Sequence, residues 1–180
     1  MLTIFLLALN CAWAQTTAPA SPERIDRVIV VVGTEVITAS DLQLSIALDE
    51  RDTPPIGLDS ALAEDSLERL IDRAILRGLA GKVGVYQPYE ADVRSRLDAL
   101  KTTWADISDY KRFLMLNGLN EARLLKRISQ RMITERYIRR NLPNLDRAEA
   151  GTEKEEAQAW MGKLRGSVTI RYVHKAEAPK

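Results

Sequence analysis

Cysteine and histidine are almost missing: the 180 residues hold one of each. A single cysteine excludes an intrachain disulfide framework and a cysteine-based zinc site. A single histidine excludes paired-histidine metal ligation and leaves little for histidine-dependent catalysis. Charge of one sign is lacking too. The 26 Lys+Arg and 25 Asp+Glu leave a net +1, which argues against a chain whose main business is coating nucleic acid. No G-x-G-x-x-G, P-loop or G-x-S-x-G motif occurs, and the glycines are scattered where they can act as caps. There is no tandem repeat and no low-complexity tract. These gaps remove most common enzyme toolkits and leave no motif for a cofactor or metal.

What is present is an ordinary globular composition, 46% hydrophobic, at a length that suits one domain. The N-terminus stands apart. Met1–Ala14 has an apolar run from Leu2 to Leu9, too short to span a bilayer, which takes about 20 residues. It ends in Ala12-Trp13-Ala14, an A-x-A cleavage pattern, so residues 1–14 read as a signal peptide with a mature start near Gln15. No Lys or Arg precedes the apolar run, which is a departure from the usual signal. Cys11 leaves with this segment, and Asn10 before it does not suit a lipid-attachment box. Residues 15–24 are a polar, proline-containing linker. No later stretch is apolar enough for a membrane span, so an exported protein without a transmembrane segment is expected.

From Ile25 onward the pattern is helical, framed by strands. Ile25–Thr38 carries two β-branched runs around Gly33-Thr34, a strand–turn–strand signal. Thr38 and Asp41 form a capping signal for a first helix bearing Leu42, Leu44, Ile46 and Leu48, which Thr53-Pro54-Pro55 must end. Leu67, Leu70, Ile71, Ala74, Ile75 and Leu79 predict a second helix starting near Asp59 or Ser60. It ends at Gly81–Gly84, where glycine can take a left-handed cap. Pro88 suits the first turn of a third helix with Val93, Leu97, Leu100 and Trp104 on one stripe. Asp106 or Ser108 caps a short fourth helix stopped by Gly118, and Asn120 caps a long fifth one running to Asn141–Pro143. After a linker at Leu142–Gly151, Thr152 and Glu155 open a sixth helix bearing Ala157, Trp160, Met161 and Leu164. Ser167–Val173 alternates as a strand, and a lone terminal strand needs a partner for its backbone. The fold class predicted is mainly α: a bundle of about six helices with a small β-element joining the N-terminal strands to the C-terminal strand. The sixth helix is expected to pack on the fifth.

Acidic clusters at Asp49-Glu50-Asp52, Glu64-Asp65 and Glu153-Glu155-Glu156 sit at helix starts and loop edges, where solvation and the helix dipole account for them. His174 adjoins Lys175 near the terminus and has no catalytic setting. No catalytic residue is nominated. Charge is uneven along the chain: Glu23–Asp72 holds 12 acids and 4 bases, the remainder 13 acids and 22 bases. The fifth helix concentrates the bases, with Arg123, Lys126, Arg127, Arg131, Arg136, Arg139 and Arg140. The simplest reading lays this basic face against the acidic first half. The feature left for function is apolar surface. Tyr86, Tyr89, Trp104, Tyr110, Phe113, Met115 and Leu116 crowd one third of the chain around short helices. Most suit a core, but those left outside would line a substrate-binding groove for varied apolar segments.

The order of these elements resembles a known family. Ile25-Asp26-Arg27-Val28 through Val36-Ile37-Thr38-Ala39-Ser40-Asp41-Leu42 looks like the opening of the SurA-type periplasmic chaperones, a Val-rich strand, a turn, then V-I/V-x-x-S-D and a helix. Leu67-Glu68-Arg69-Leu70-Ile71-Asp72 with Lys82-Val83-Gly84-Val85 resembles the family's following helix. Met115-Leu116-Asn117-Gly118-Leu119 resembles its short-helix end, and Glu155-Glu156-Ala157-Gln158-Ala159-Trp160-Met161 its C-terminal helix. The resemblance covers nearly all of Ile25–Val173 and rests on the order of motifs more than on any one of them.

The resemblance implies a SurA N-terminal-type chaperone module at residues 25–141, completed by its own C-terminal helix and strand in residues 152–180. Its clients would be unfolded outer-membrane proteins, and its location the periplasm. Family members usually carry parvulin-type prolyl isomerase domains between the fifth and sixth helices. Here that interval is only residues 142–151, too short for such a domain, so isomerase activity does not carry over. Two other readings stand beside the chaperone: a dedicated subunit of a cell-envelope assembly, and an accessory to a prolyl isomerase.

Overall fold

The computed structural model describes residues 26–52, 62–143 and 152–173, with the side chains of 152 and 153 excepted. The signal segment, the Pro54-Pro55 break and His174 lie outside the described residues. Val28–Val32 forms β1 and Glu35–Thr38 forms β2, an antiparallel hairpin turning at Gly33 and Thr34. Gly33 takes φ +57°, the left-handed region such tight turns require and only glycine enters freely. Strand β2 hands directly into helix α1, Ala39–Asp49. Thr38 Oγ1 accepts the Asp41 N–H and the Asp41 carboxylate accepts the Thr38 N–H, each at 3.2 Å. That reciprocal pairing satisfies two otherwise orphaned donors at the helix start.

Helix α2 spans Ser66–Ala80, shorter than the spacing predicted. Residues 62–65 are not helical because Asp65 caps the helix instead, accepting the N–H groups of Leu67 at 2.9 Å and Glu68 at 3.0 Å. Its end also differs from expectation. Gly81 has φ −64°, not a left-handed value, and its N–H still bonds the Arg77 carbonyl at 2.8 Å. Glycine is needed there for closeness, since a Cβ would lie 2.7 Å from that carbonyl oxygen. A single 3-10 turn, Gly84–Tyr86, leads to α3, Glu90–Lys101. Pro88 precedes the N-cap Tyr89 rather than sitting in the first helical turn. The short helix α4, Ile107–Leu116, is capped by Asp106. It closes with the Gly118 N–H on the Met115 carbonyl (3.1 Å) and the Leu119 N–H on the Leu114 carbonyl (2.8 Å), with Gly118 at φ +60°. This is a Schellman stop. Asn120 then caps α5, Glu121–Asn141, and α6 runs Thr152–Gly166.

The C-terminal strand β3, Ile170–Tyr172, pairs antiparallel with β1, giving a sheet of order β2-β1-β3. Bonds from Gly33 N–H to Thr169 O and from Val173 N–H to Ile29 O, both 2.8 Å, extend the pairing beyond the strand's ends. Among the described residues the fold is mainly α, six helices with one small three-stranded antiparallel sheet.

Two apolar clusters hold the elements together. One gathers Val30, Val32 and Ile37 of the hairpin, Leu70, Ile71, Ala74, Ile75 and Leu76 of α2, Ile138 of α5, and Ala157 and Met161 of α6. The other joins Leu44 and Leu48 of α1 to Val93, Leu97 and Leu100 of α3, Trp104, Tyr110 and Phe113 around α4, and Leu124 and Ile128 of α5. Helix α5 reaches both, and ion pairs join them. Asp49 takes Arg73 at 2.8 Å and Arg131 at 2.6 Å, while Asp52 takes Arg96 at 2.8 Å and Arg131 at 3.4 Å. Arg96 also reaches Glu135 at 3.0 Å. The basic α5 face thus meets acids of the first half, as the charge asymmetry predicts.

Helix α6 packs along α2 more than on α5, where the Trp160 ring lies 6.1 Å from that of Tyr137. The cause is Arg165, whose guanidinium bonds the buried Asp72 at 2.6 Å and Glu68 at 2.7 Å. Tyr172 of β3 donates to the same Glu68 at 2.7 Å.

Candidate functional site

The seven nominated residues fall into two places. Trp104, Tyr110 and Phe113 are buried, at 8%, 3% and 9% exposure, with the Trp104 ring meeting Tyr110 edge-on at 5.3 Å and Phe113 tilted at 5.1 Å between centroids. They form the floor beneath α4. Met115 and Leu116, on the last turn of that helix, stand out at 72% and 68% exposure. Tyr86 and Tyr89 lie elsewhere, at the connection from α2 to α3. Tyr86 is half-buried against Tyr137 of α5 at 5.2 Å, and Tyr89 is exposed at the α3 N-cap.

The helix α4 patch has a defined construction. Asp106 accepts the Ser108 and Asp109 N–H groups, and those bonds hold its carboxyl below the ordinary aspartate value of 3.8. At the other end Asn117 Nδ2 donates to the Phe113 carbonyl at 2.8 Å. Between these fixed ends an open depression of about 520 Å³ is lined by Trp104, Phe113, Leu116 and Asn117, with Arg51, Asp109 and Arg112 at its edge. The Arg51 guanidinium lies 4.8 Å from the Trp104 ring centroid, a cation–π contact. Ile107, 58% exposed, adds apolar surface on the same helix.

Tyr110 closes the underside. Its hydroxyl is buried without a hydrogen-bond partner among the described residues. Burial first, and then the nearby Glu121 carboxylate, push it up to about 12. Lys101 lies over its ring at 5.5 Å and pairs with Glu121 at 3.1 Å.

A second depression, about 430 Å³, opens between α1 and the start of α5. Arg123, Lys126 and Arg127 line it together with Ser40, Asp41, Leu44 and Asn117–Leu119. Arg127 pairs with Asp41. A neighbouring depression of about 40 Å³ shares Asp41, Leu44, Arg127 and Gln130 with it and is lined further by Leu48 and Leu70.

Sequence reasoning missed Ile107, Arg51 and Arg112 as site components, and this second depression entirely. The first three carry no periodic signal of their own. The second depression depends on α1 lying beside α5, a contact 86 residues apart at Asp41 and Arg127.

Asp49, Asp52 and Glu135 are all engaged by guanidiniums. Among the described residues no group of three or more His, Cys, Asp or Glu could hold a metal ion. Among them also no helix is long and apolar enough to cross a membrane. In comparisons with known proteins, no family model matches this chain and no curated protein is significantly similar to it.

Proposed function

We propose that this chain is an exported, ATP-independent chaperone of the SurA type, acting in the periplasm on unfolded outer-membrane or other envelope proteins. It holds client segments against the α4 patch and performs no covalent chemistry. The observation that carries the reading is the exposure of Met115, Leu116 and Ile107 on a helix with both ends capped, beside a depression floored by Trp104 and Phe113. Of these, Leu116 lines the depression over its aromatic floor, and exposed apolar surface beside such a depression suits an interaction surface. Methionine and leucine suit varied partners because they offer contact area without a fixed geometry. The closure of the sheet by β3 supports the same reading, since it makes one module out of the segments on either side of residues 142–151.

The test is suppression of aggregation for several unrelated unfolded envelope proteins, at up to equimolar chaperone. Met115→Asp and Leu116→Asp keep the fold, because both side chains are already exposed. Each removes about 1–2 kcal/mol of apolar contact, roughly tenfold in client affinity. Protection of no client by the unaltered protein defeats the proposal. Recovery of one tight partner and no general protection makes it a dedicated subunit of an envelope assembly.

A further inference from the structure

We infer, resting on the chaperone reading, that the client track runs on from the α4 patch into the cationic depression beside α5, so that preferred segments carry large apolar residues next to Asp or Glu. The two depressions share a wall at Asn117. That wall is rigid: Gly118 is held left-handed in the Schellman stop and Asn117 is tied to the Phe113 carbonyl at 2.8 Å. An extended chain that seats an apolar side chain over Trp104, Phe113 and Leu116 therefore meets, on crossing Asn117, the second depression.

The chemistry changes at that crossing. The second depression is lined by Arg123, Lys126 and Arg127 against one carboxylate, Asp41. Asp41 is already engaged, with one oxygen in the Thr38 capping box and the other on Arg127. Arg123 donates to the neutral Gly118 carbonyl at 3.2 Å, a bond that leaves its charge uncompensated. Two positive charges are thus left over among these lining residues, above an apolar base of Leu44 and Leu119. Arg51 extends the same sign to the rim of the first depression, where Arg112 is paired with Asp109 at 3.6 Å. Carboxylates answer guanidinium and ammonium groups, whereas a lysine-rich flank is repelled. A polyanion without apolar groups would use only half of the track.

The experiment measures binding of labelled peptides to the full chain by fluorescence anisotropy. One peptide joins an apolar block to an aspartate block; the others replace the aspartates by serine or by lysine, or the apolar block by serine. The expected result is about tenfold tighter binding of the apolar–acidic peptide than of the apolar–serine peptide. The lysine version binds weakest. The preference collapses near 0.5 M salt, where screening reaches within about 4 Å. In Lys126→Glu, and in Arg123→Glu with Lys126→Glu, the acidic preference is lost while the apolar–serine peptide binds unchanged. The single Lys126→Glu variant keeps the Arg123 bond to the turn, so it separates charge from folding. Equal binding of all three apolar peptides overturns the inference and leaves the chaperone reading standing. Binding of none of them fails both. Equally tight binding of the acidic peptide without apolar residues reduces the depression to a simple polyanion site and overturns the joined track.

Discussion

Tyr110 shows how a single side chain carries cost as well as packing. Its ring meets Trp104 edge-on, but its buried hydroxyl finds no partner among the described residues. An unsatisfied buried hydroxyl costs about 1–3 kcal/mol, so Tyr110→Phe is expected to stabilise the fold by about 1 kcal/mol in urea unfolding near neutral pH. The alkaline behaviour follows from its raised value. The folded phenol titrates at about 12, above the ordinary 10.0, so its contribution is whole below pH 10 and is lost as pH rises through about 12. The phenylalanine variant loses less stability in that range, and parallel slopes for the two proteins would refute the assignment. Asp106 works in the opposite sense. Its carboxyl is held below 3.8 by the Asp109 and Ser108 N–H groups, so the stability it lends is present above 3.8 and fades as pH falls through the lower folded value. Asp106→Ala should lower the melting temperature at neutral pH, with the difference narrowing in acid; a constant difference would count against the cap.

At the scale of elements, the C-terminal segment is the informative case. Helix α6 contributes Ala157 and Met161 to the first cluster, and Arg165 is clamped by Asp72 and Glu68 of α2. Strand β3 adds the third strand to the hairpin. Removing residues 152–180 exposes this face of α2, strips partners from Asp72 and opens the edge of β1. A loss of several kcal/mol is expected, a large part of a typical domain's stability. Met161→Ala is the milder version, costing about 3 kcal/mol through lost burial and a residual cavity. Calorimetry checks both, and a truncated chain melting cooperatively at an unchanged temperature would refute the packing described. The cost falls on α2 more than on α5, because Arg165 pulls the sixth helix to the buried carboxylate.

For the whole molecule, the ion pairs around Asp49 and Asp52 connect α2 of one apolar cluster to α3 and α5 of the other. Breaking a buried pair leaves the remaining charge without compensation, at about 3–5 kcal/mol. Asp49→Ala removes the carboxylate that Arg73 and Arg131 share and leaves Arg131 on Asp52 and Arg73 on Ser45, so a loss at the lower end of that range is expected, with faster hydrogen exchange in α1 and α2 together. Loss confined to α1 would mean that the pair is local. The same α1–α5 contact that buries these pairs leaves Arg123 and Lys126 facing the open depression. The acidic preference inferred for clients is thus a property of the assembled molecule, since no single helix contains both its walls.

Local signals were legible from residues alone. Thr38 with Asp41, Asp106, Asn120 and Gly118 announced helix ends because capping depends on neighbours within a few positions. The need of a terminal strand for a partner was legible as well, since backbone groups must be satisfied somewhere. The start of α2 was not, because Asp59, Ser60 and Asp65 are alike as caps and only packing chooses among them. Nor was the fate of the aromatics. Trp104, Tyr110 and Phe113 look no different in sequence from Met115 and Leu116, yet rotation about α4 turns Tyr110 and Phe113 inward against Trp104 and leaves Met115 and Leu116 exposed. Composition and local pattern by themselves determined a mainly helical fold with a small β-element. Tertiary structure decided which apolar residues face out and where the uncompensated charge collects, because both depend on contacts between segments far apart in the chain.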